Sequence, residues 1–209
     1  MNRAALFLAI VALWAALYLP GLGGTELKGE EGRRILPAMA MLENGDWVVP
    51  EVNGRPYFRK PPLINWVIAL SMEATAQQTE WAARLPSVLA VLAMALALGW
   101  TGSRWLGNSG GLVAALFFLT NISFLEKGRL AEIEAVYVAL TGIALAWFMG
   151  GWMTRVTGWR LWLVPGVALG LGILTKGPVP HLLFFYGVAI ALLAASRELR
   201  QLLSVGHLL

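Results

Sequence analysis

The chain has 209 residues, of which 58% are hydrophobic and only 13% are charged, and its mean hydropathy is +0.67. A soluble domain of this length cannot bury so much apolar surface, so the composition predicts an integral membrane protein. These residues include no cysteine, which excludes disulfides, thiolate metal sites and cysteine nucleophiles within them. The net charge of +4 comes from basic residues placed singly or in pairs at the ends of apolar runs. The bilayer explains that pattern, and nucleic acid binding is not expected.

The first apolar run, residues 4–22, is long enough to cross a hydrocarbon core of about 30 Å. Because Arg3 precedes it, the run is either a signal peptide or a signal anchor. It is long for a cleaved peptide and no clear A-x-A site follows, so we expect a retained first span with Asn2 and Arg3 in the cytoplasm.

The second apolar run, residues 61–76, decides the topology. A helix of this length spans only about 24 Å, and the run contains Asn65, Ser71 and Glu73. If it crosses the membrane, a set of basic residues in the following short loops faces outward, against the positive-inside rule. That set is Arg104, Arg155, Arg160, Arg197 and Arg200. If the run lies on the outer surface, all five share the cytoplasm with Arg3.

We therefore predict an all-α integral membrane protein with a single membrane domain of about six transmembrane helices. The expected spans are residues 4–22, 82–100, 109–125, 135–153, 161–175 and 179–195. The outer loop, residues 23–81, should carry two interfacial helices at about 32–43 and 61–76. The first is amphipathic, with apolar residues at helical spacing opposite Arg33 and Arg34.

The six-span topology brings ionisable residues from distant parts of the chain to the outer face. They are Glu30, Glu31, Lys60, Arg129, Glu132, Glu134 and Lys176. A carboxylate at this depth can accept a proton from a hydroxyl or an amine, and a lysine or arginine can hold a lipid phosphate. Together they describe group transfer from a lipid phosphate to an acceptor.

Simpler interpretations stay open for individual residues. Glu30 and Glu31 alone could belong to a solvated loop, and Lys60 alone could be a snorkelling anchor. Glu134 and Lys176 lie at the mouths of apolar spans, where a charge is costly and usually functional.

No cofactor is expected. Glu30, Glu31 and Glu134 could hold a divalent cation, but nothing in their spacing demands one. His181, just inside a span, is expected to be a hydrogen-bonded packing residue and not a metal or substrate ligand.

Four motifs carry a family resemblance: EEGRRxxxAMAMLENGDWVVPEVNGRPYFRKPPL, EWAARLPS, GRLAEIEA and LTKGP. Over residues 1–195 the chain resembles the N-terminal part of the polyprenyl-phosphate-dependent glycosyltransferases of the GT-C class, in particular the ArnT-like aminoarabinose lipid A transferases and the protein O-mannosyltransferases. The resemblance implies sugar transfer from a polyprenyl-phosphate donor to a lipid, glycan or protein acceptor at the extracytoplasmic face of the inner (plasma) membrane.

The resemblance also implies roles for particular residues. An acid of the first loop would be the catalytic base, either Glu30 or, less favoured, Glu31, and Glu134 stands where a second Asp is usual. The family's loop usually begins Asp-Glu, so the side chain is one methylene longer at Glu30 and at Glu134. The donor phosphate would be bound by Lys60, with Arg59 or Arg129, and Lys176 would bind phosphate or have a structural role.

Family members continue with more spans, so we expect a fragment, a truncated product or one half of a split enzyme, with little or no activity alone. A missing C-terminal half is then a partner. A non-catalytic polyprenyl-phosphate-binding subunit or scaffold is the alternative. A transporter is a third option, although no mirrored pair of broken helices appears.

Overall fold

The structure, a computed structural model, describes residues 2–208, the side chain of Leu208 excepted. Most of these residues lie in helices, as the apolar runs predict. The elements are α1 (Arg3–Tyr18), α2 (Gly32–Asn44), strands β1 (Glu51–Val52) and β2 (Arg55–Pro56), α3 (Leu63–Thr75), α4 (Glu80–Leu119), α5 (Ile122–Lys127), α6 (Ile133–Met153), α7 (Trp159–Lys176), α8 (Val179–Ala195), a 3-10 helix (Leu199–Leu203) and α9 (Val205–Leu208).

Helix α4 is two helical arms joined at a sharp kink. Gly107 has φ 72° and ψ 172°, a conformation that glycine adopts without steric cost, and it separates residues 80–106 from 108–119. The arms approach so closely that a Cβ on Gly111 would lie 2.4 Å from the Gly99 carbonyl oxygen. Glycine at this position therefore lets the chain double back on itself.

Two boundaries differ from the sequence prediction. Helix α1 ends at Tyr18 and not at residue 22, since Pro20 follows and Gly21 takes a positive φ of 67°. The single helix predicted over residues 109–125 is wrong. The second arm of α4 ends at Leu119, and the Asn121 side chain accepts a hydrogen bond from the Ser123 N–H to start α5.

The long helices run antiparallel, which gives the bundle two distinct ends. At the first end the Tyr18 hydroxyl donates to the Leu119 carbonyl (2.9 Å), and Lys176 lies 3.3 Å from Glu134. At the other end the Trp147 indole donates to the Arg160 carbonyl (3.1 Å). We call the first the site end. The second, where Arg3, Arg104, Arg155, Arg160 and Arg197 lie, is called the arginine end.

Helices α2 and α3 pack on one another at the site end. Hydrogen bonds near both ends of α3 hold it against this end of the bundle. Near the start of α3, the Asn65 amide donates to the Arg34 carbonyl (2.8 Å). Near its end, the Ser71 hydroxyl donates to the carbonyl of Ala82 in the first turn of α4 (2.6 Å). Ile35 and Ala38 of α2 belong to the same apolar core as Ile64, Ile68 and Met72 of α3.

Within residues 2–208, two helices are long and apolar enough to cross a membrane, Glu80–Leu119 and Ile133–Met153. Three shorter apolar helices accompany them, Arg3–Tyr18, Leu63–Thr75 and Val179–Ala195. Helix α8 covers the residues predicted for the last span, and α2 and α3 occupy the segments predicted as interfacial helices.

Candidate active site

A polar cavity of about 390 Å³ opens at the site end. Its walls come from the loop before α2, from α2 itself, from the loop before α3, and from α5, α6 and α7. The lining residues are Glu30, Arg34, Lys60, Lys127, Glu132, Ile133, Glu134 and Lys176. Acids and bases separated by more than a hundred positions in the sequence thus share one space.

Glu30 is a half-exposed carboxylate held between two guanidinium groups. Its oxygens lie 2.6 Å from Nη1 of Arg33 and 3.4 Å from Nη2 of Arg34, pairs at the i, i+3 and i, i+4 spacing of a helix. Its backbone N–H points to Oε1 of Glu132 (3.3 Å). The side chain is positioned by α2 while remaining open to the cavity.

Glu134 and Lys176 form a second acid–base pair on the opposite wall. The ammonium of Lys176 lies 3.3 Å from Oε1 of Glu134 and 5.5 Å from the ring centroid of Tyr137. Both charged side chains are partly exposed, so both are accessible from the cavity. This pair joins the first turn of α6 to the last turn of α7.

Two cationic side chains that line the cavity, Lys60 and Arg34, have nitrogen donors without a partner among the described residues. Within residues 2–208 no hydrogen bond or ion pair involves the ammonium of Lys60. Nε of the buried Arg34 likewise has no partner in the described part of the chain, although its terminal nitrogens contact Tyr57 and Glu30. Because the Lys60 ammonium is accessible from the cavity and has no carboxylate partner, this wall is suited to a bound anion.

Glu132, just before α6, connects the loop that precedes α2 to α5. It is buried at 2% exposure, accepts the Glu30 N–H, and forms an ion pair with Lys127 at 3.1 Å. The hydrogen bond to Glu132, together with that carboxylate's charge, raises the pKa of Lys127. Lys127 therefore keeps its positive charge beside the cavity.

Glu31, predicted as a possible base, is instead a fully buried structural carboxylate. Arg84 donates to both of its oxygens at 2.8 and 2.9 Å, and the backbone N–H groups of Ala131 and Lys28 each donate at 2.8 Å. Burial alone would raise the pKa of Glu31, but these hydrogen bonds and the charge of Arg84 outweigh it and lower that pKa. Glu31 has no free oxygen for an acceptor.

Arg84 fastens the whole first loop to α4. Besides the pair with Glu31, its guanidinium donates to the carbonyls of Leu22, Thr25 and Glu26. Glu31 and Arg84 thus fix the segment that carries Glu30. They position the cavity wall without contacting the cavity.

Two other predicted phosphate ligands also lie outside the cavity. Arg129 lines a neighbouring cavity of about 420 Å³ with Lys28 and Glu126, and its guanidinium donates to the Pro20 carbonyl. Arg59 is exposed and does not line either cavity. Of the predicted site residues, the structure brings together Glu30, Glu134, Lys60 and Lys176.

Three charged residues that line the cavity have no role in the sequence prediction. Glu132 is predicted only to lie at the outer face, and Lys127 carries no prediction. Arg34 was placed with Arg33 on the polar face of α2, which is wrong, because Arg34 is 4% exposed. Its position four residues after Glu30 was the available signal.

No metal site is evident in the described part of the chain. No group of three His, Cys, Asp or Glu side chains there could hold a metal ion, and the oxygens of Glu31 are already occupied by four donors. His181 is buried, with Nδ1 3.1 Å from the Tyr137 hydroxyl and Nε2 3.1 Å from the Leu169 carbonyl. Both ring nitrogens are used in packing contacts between helices.

Comparisons with known proteins agree with this architecture. Residues 59–208 match the family model described as dolichyl-phosphate-mannose-protein mannosyltransferase. An undecaprenyl phosphate-alpha-4-amino-4-deoxy-L-arabinose arabinosyl transferase of Pectobacterium atrosepticum is 30% identical over 95% of this chain and 36% of its own length. A Sodalis glossinidius protein of the same name is 32% identical over 97% of this chain and 36% of its own.

Solved structures share the fold. The crystal structure of ArnT from Cupriavidus metallidurans bound to undecaprenyl phosphate superposes with a TM-score of 0.82 at 22% identity, over 95% of this chain and 37% of that one. The apo form of that protein gives a TM-score of 0.81 at 25% identity, over 98% and 39%. This chain spans a little over a third of the length of the curated relatives it matches.

Proposed function

The chain belongs to the dolichyl-phosphate-mannose-protein mannosyltransferase family, and from this premise we propose that it is the N-terminal catalytic portion of a membrane glycosyltransferase. The sugar would come from a polyprenyl-phosphate donor and pass to a lipid, glycan or protein acceptor. The observation that carries the proposal is the polar cavity, where the unpaired Lys60 ammonium lies among carboxylates and beside the Arg34 guanidinium.

The cation wall would hold the donor phosphate. An ammonium and a guanidinium N–H at headgroup depth can bind phosphate oxygens and stabilise their charge as the bond to the sugar breaks. The Cupriavidus ArnT structure holds undecaprenyl phosphate, so this lipid is the first ligand to test here. Lys176, released from Glu134 or shared with it, would add a second charge on the facing wall.

Glu30 would act as the general base. Its carboxylate takes the proton of the acceptor hydroxyl or amine, whose oxygen or nitrogen then attacks the anomeric carbon from the face opposite the phosphate. The new glycosidic bond forms as the bond from the anomeric carbon to the phosphate oxygen breaks, and polyprenyl phosphate leaves with both bonding electrons. Glu134 would orient the sugar or the acceptor through its pair with Lys176.

The cavity would face the extracytoplasmic side of the inner membrane. Support comes from the two ends of the bundle, because the basic residues of the short loops gather at the arginine end, as the positive-inside rule requires for the cytoplasm. Both ends of α3 are attached to the site end. Segment 61–76 would then rest on the outer leaflet, and six helices would span the bilayer.

A second function is favoured by the same cavity. The unpaired Lys60 ammonium and the other cations of the cavity belong to this chain. Binding of the lipid phosphate can therefore use residues of this chain, whereas acceptor recognition and turnover can depend on other parts of a longer protein. A subunit that binds polyprenyl phosphate without catalysing transfer therefore remains the alternative function.

Binding can be tested on these 209 residues in nanodiscs with undecaprenyl phosphate. Lys60→Ala should weaken binding about tenfold or more, since it removes the unpaired ammonium. Arg59→Ala is the matched control, because it removes an equal charge one residue away, outside the cavity, and should change affinity less than about twofold. Equal losses for the two variants would show that the lipid is not held in this cavity.

Transfer can be tested in a longer protein. A chimera in which this chain replaces the matching N-terminal part of the Pectobacterium atrosepticum relative can be assayed with an undecaprenyl-phosphate-linked aminoarabinose donor. Activity would identify an enzyme. Donor binding without transfer, in a chimera that is folded and inserted, would favour the binding subunit.

A further inference from the structure

A groove of about 350 Å³ lies at the arginine end, far from the polar cavity. It is formed by the first arm of α4, the last turns of α6 and the start of α7. Its wall combines Trp100, Trp147 and Trp159 with Arg104 and Arg160. Helix α6, whose 21 residues rise about 31 Å, separates this groove from the donor cavity.

The floor of the groove is apolar and open. Leu163, Val164 and Ala146 contribute small or aliphatic side chains, and Gly150 contributes none. A Cβ added to Gly150 would meet no atom within 4 Å. The glycine therefore leaves space in which an alkyl chain fits.

The rim of the groove is cationic and aromatic. The Arg104 guanidinium lies 5.4 Å from the ring centroid of Trp100, and that of Arg160 lies 5.6 Å from the ring of Trp159. Both arginines are exposed, and no carboxylate of residues 2–208 lines the groove. Glu198, the carboxylate at this end of the described bundle, is already paired with Arg155 at 2.8 Å.

We propose that this groove binds an anionic glycerophospholipid of the leaflet that surrounds the arginine end. One acyl chain lies along the apolar floor, and the lipid phosphate sits between Arg104 and Arg160. The charge of the rim selects an anionic head group, and tryptophan and arginine at helix ends mark the depth of the membrane interface. The site is independent of sugar transfer at the other end.

Native mass spectrometry of the full chain in detergent tests the site with two lipids that share the same acyl chains, phosphatidylglycerol and phosphatidylcholine. The wild type should retain phosphatidylglycerol about tenfold better. Arg104→Gln with Arg160→Gln should remove that preference. The control pair, Arg197→Gln with Arg200→Gln, neutralises two arginines outside the groove and should leave it unchanged.

Gly150→Leu provides the second variant. It keeps every charge, improves helix propensity and fills the open space, so retention of both lipids should fall while the chain stays folded. Equal retention of the two lipids by the wild type, a preference unaffected by the groove arginines, or a lipid retention unaffected by Gly150→Leu would each overturn the proposal. Displacement of phosphatidylglycerol from this groove by undecaprenyl phosphate would overturn it as well. So would a dimer in which a second copy of the chain covers the groove in place of the lipid.

Discussion

The two ends of the bundle treat charge in opposite ways. At the site end, Glu31 and Arg84 are almost fully buried and joined by two hydrogen bonds, and Glu132 is buried beside Lys127. At the arginine end, Arg155 is 77% exposed even though it is paired with Glu198. The site end therefore contains ion pairs with buried members, whereas the pair at the arginine end has an arginine that stays in water.

This difference follows from what each end has to hold. A buried ion pair costs desolvation and is retained when every donor and acceptor is satisfied, as around Glu31. Such a pair fixes the loop geometry on which a cavity of converging charges depends. Exposed arginines cost little and suit an interface, where the bilayer and not the protein supplies the partner.

The largest effect is expected at Glu30. In the chimera described above, Glu30→Gln should lower the transfer rate about 10²- to 10⁴-fold, the usual contribution of a general base. Donor binding should change far less, because Lys60 is intact. Glu43→Gln, an exposed acid near the end of α2, is the control, and a Glu30→Gln chimera with full activity would move the base to another residue.

The buried pair should dominate stability. Glu31→Gln leaves Arg84 as an uncompensated buried charge and should lower the free energy of unfolding by about 3–5 kcal/mol. Chemical denaturation in a fixed detergent measures it. A loss below about 1 kcal/mol would show that Arg84 finds another partner.

The same pair predicts a pH dependence. The folded-state pKa of Glu31 is lowered from its ordinary value of 4.5, so the pair contributes its stability above that pH and loses it as pH falls through the folded pKa. The difference in stability between wild type and Glu31→Gln should therefore be constant near neutral pH and shrink below about 4.5. A difference independent of pH down to acid unfolding would contradict the assignment.

The smallest effect is expected for the exposed pair. Glu198→Gln breaks an ion pair of the same 2.8 Å length but in water, and should cost less than about 1 kcal/mol. The same denaturation series measures it. A loss equal to that of Glu31→Gln would remove the distinction between the two ends.

Periodicity and charge bias predicted much of this structure. The apolar run at residues 179–195 is found as α8 because it is uninterrupted and bounded by Pro178 and a terminal turn. The break between the spans predicted at 82–100 and 109–125 is found as the kink at Gly107, although the helical structure immediately on both sides of that glycine was not predicted. The same charge bias placed Glu30, Lys60, Glu134 and Lys176 on one face, and they line one cavity.

Side-chain burial was the part that the sequence could not provide. Glu30 and Glu31 are identical neighbours, and only the fold makes one open to the cavity and the other fully buried against Arg84. Arg84 of the EWAARLPS motif is the partner that buries Glu31. The sequence alone does not show this pairing, because it depends on the contact between α4 and the first loop. Arg34 was misplaced for the same reason.

Cysteine labelling directly tests the proposal that both ends of α3 lie on the extracytoplasmic side. Since these residues contain no cysteine, single substitutions at the exposed positions Val48, Gln77 and Thr157 give clean probes in intact spheroplasts with a membrane-impermeant maleimide. Val48→Cys and Gln77→Cys should both react from outside, and Thr157→Cys only after permeabilisation. Labelling of Val48→Cys and Gln77→Cys from opposite sides would show that segment 61–76 crosses the membrane and would contradict the account.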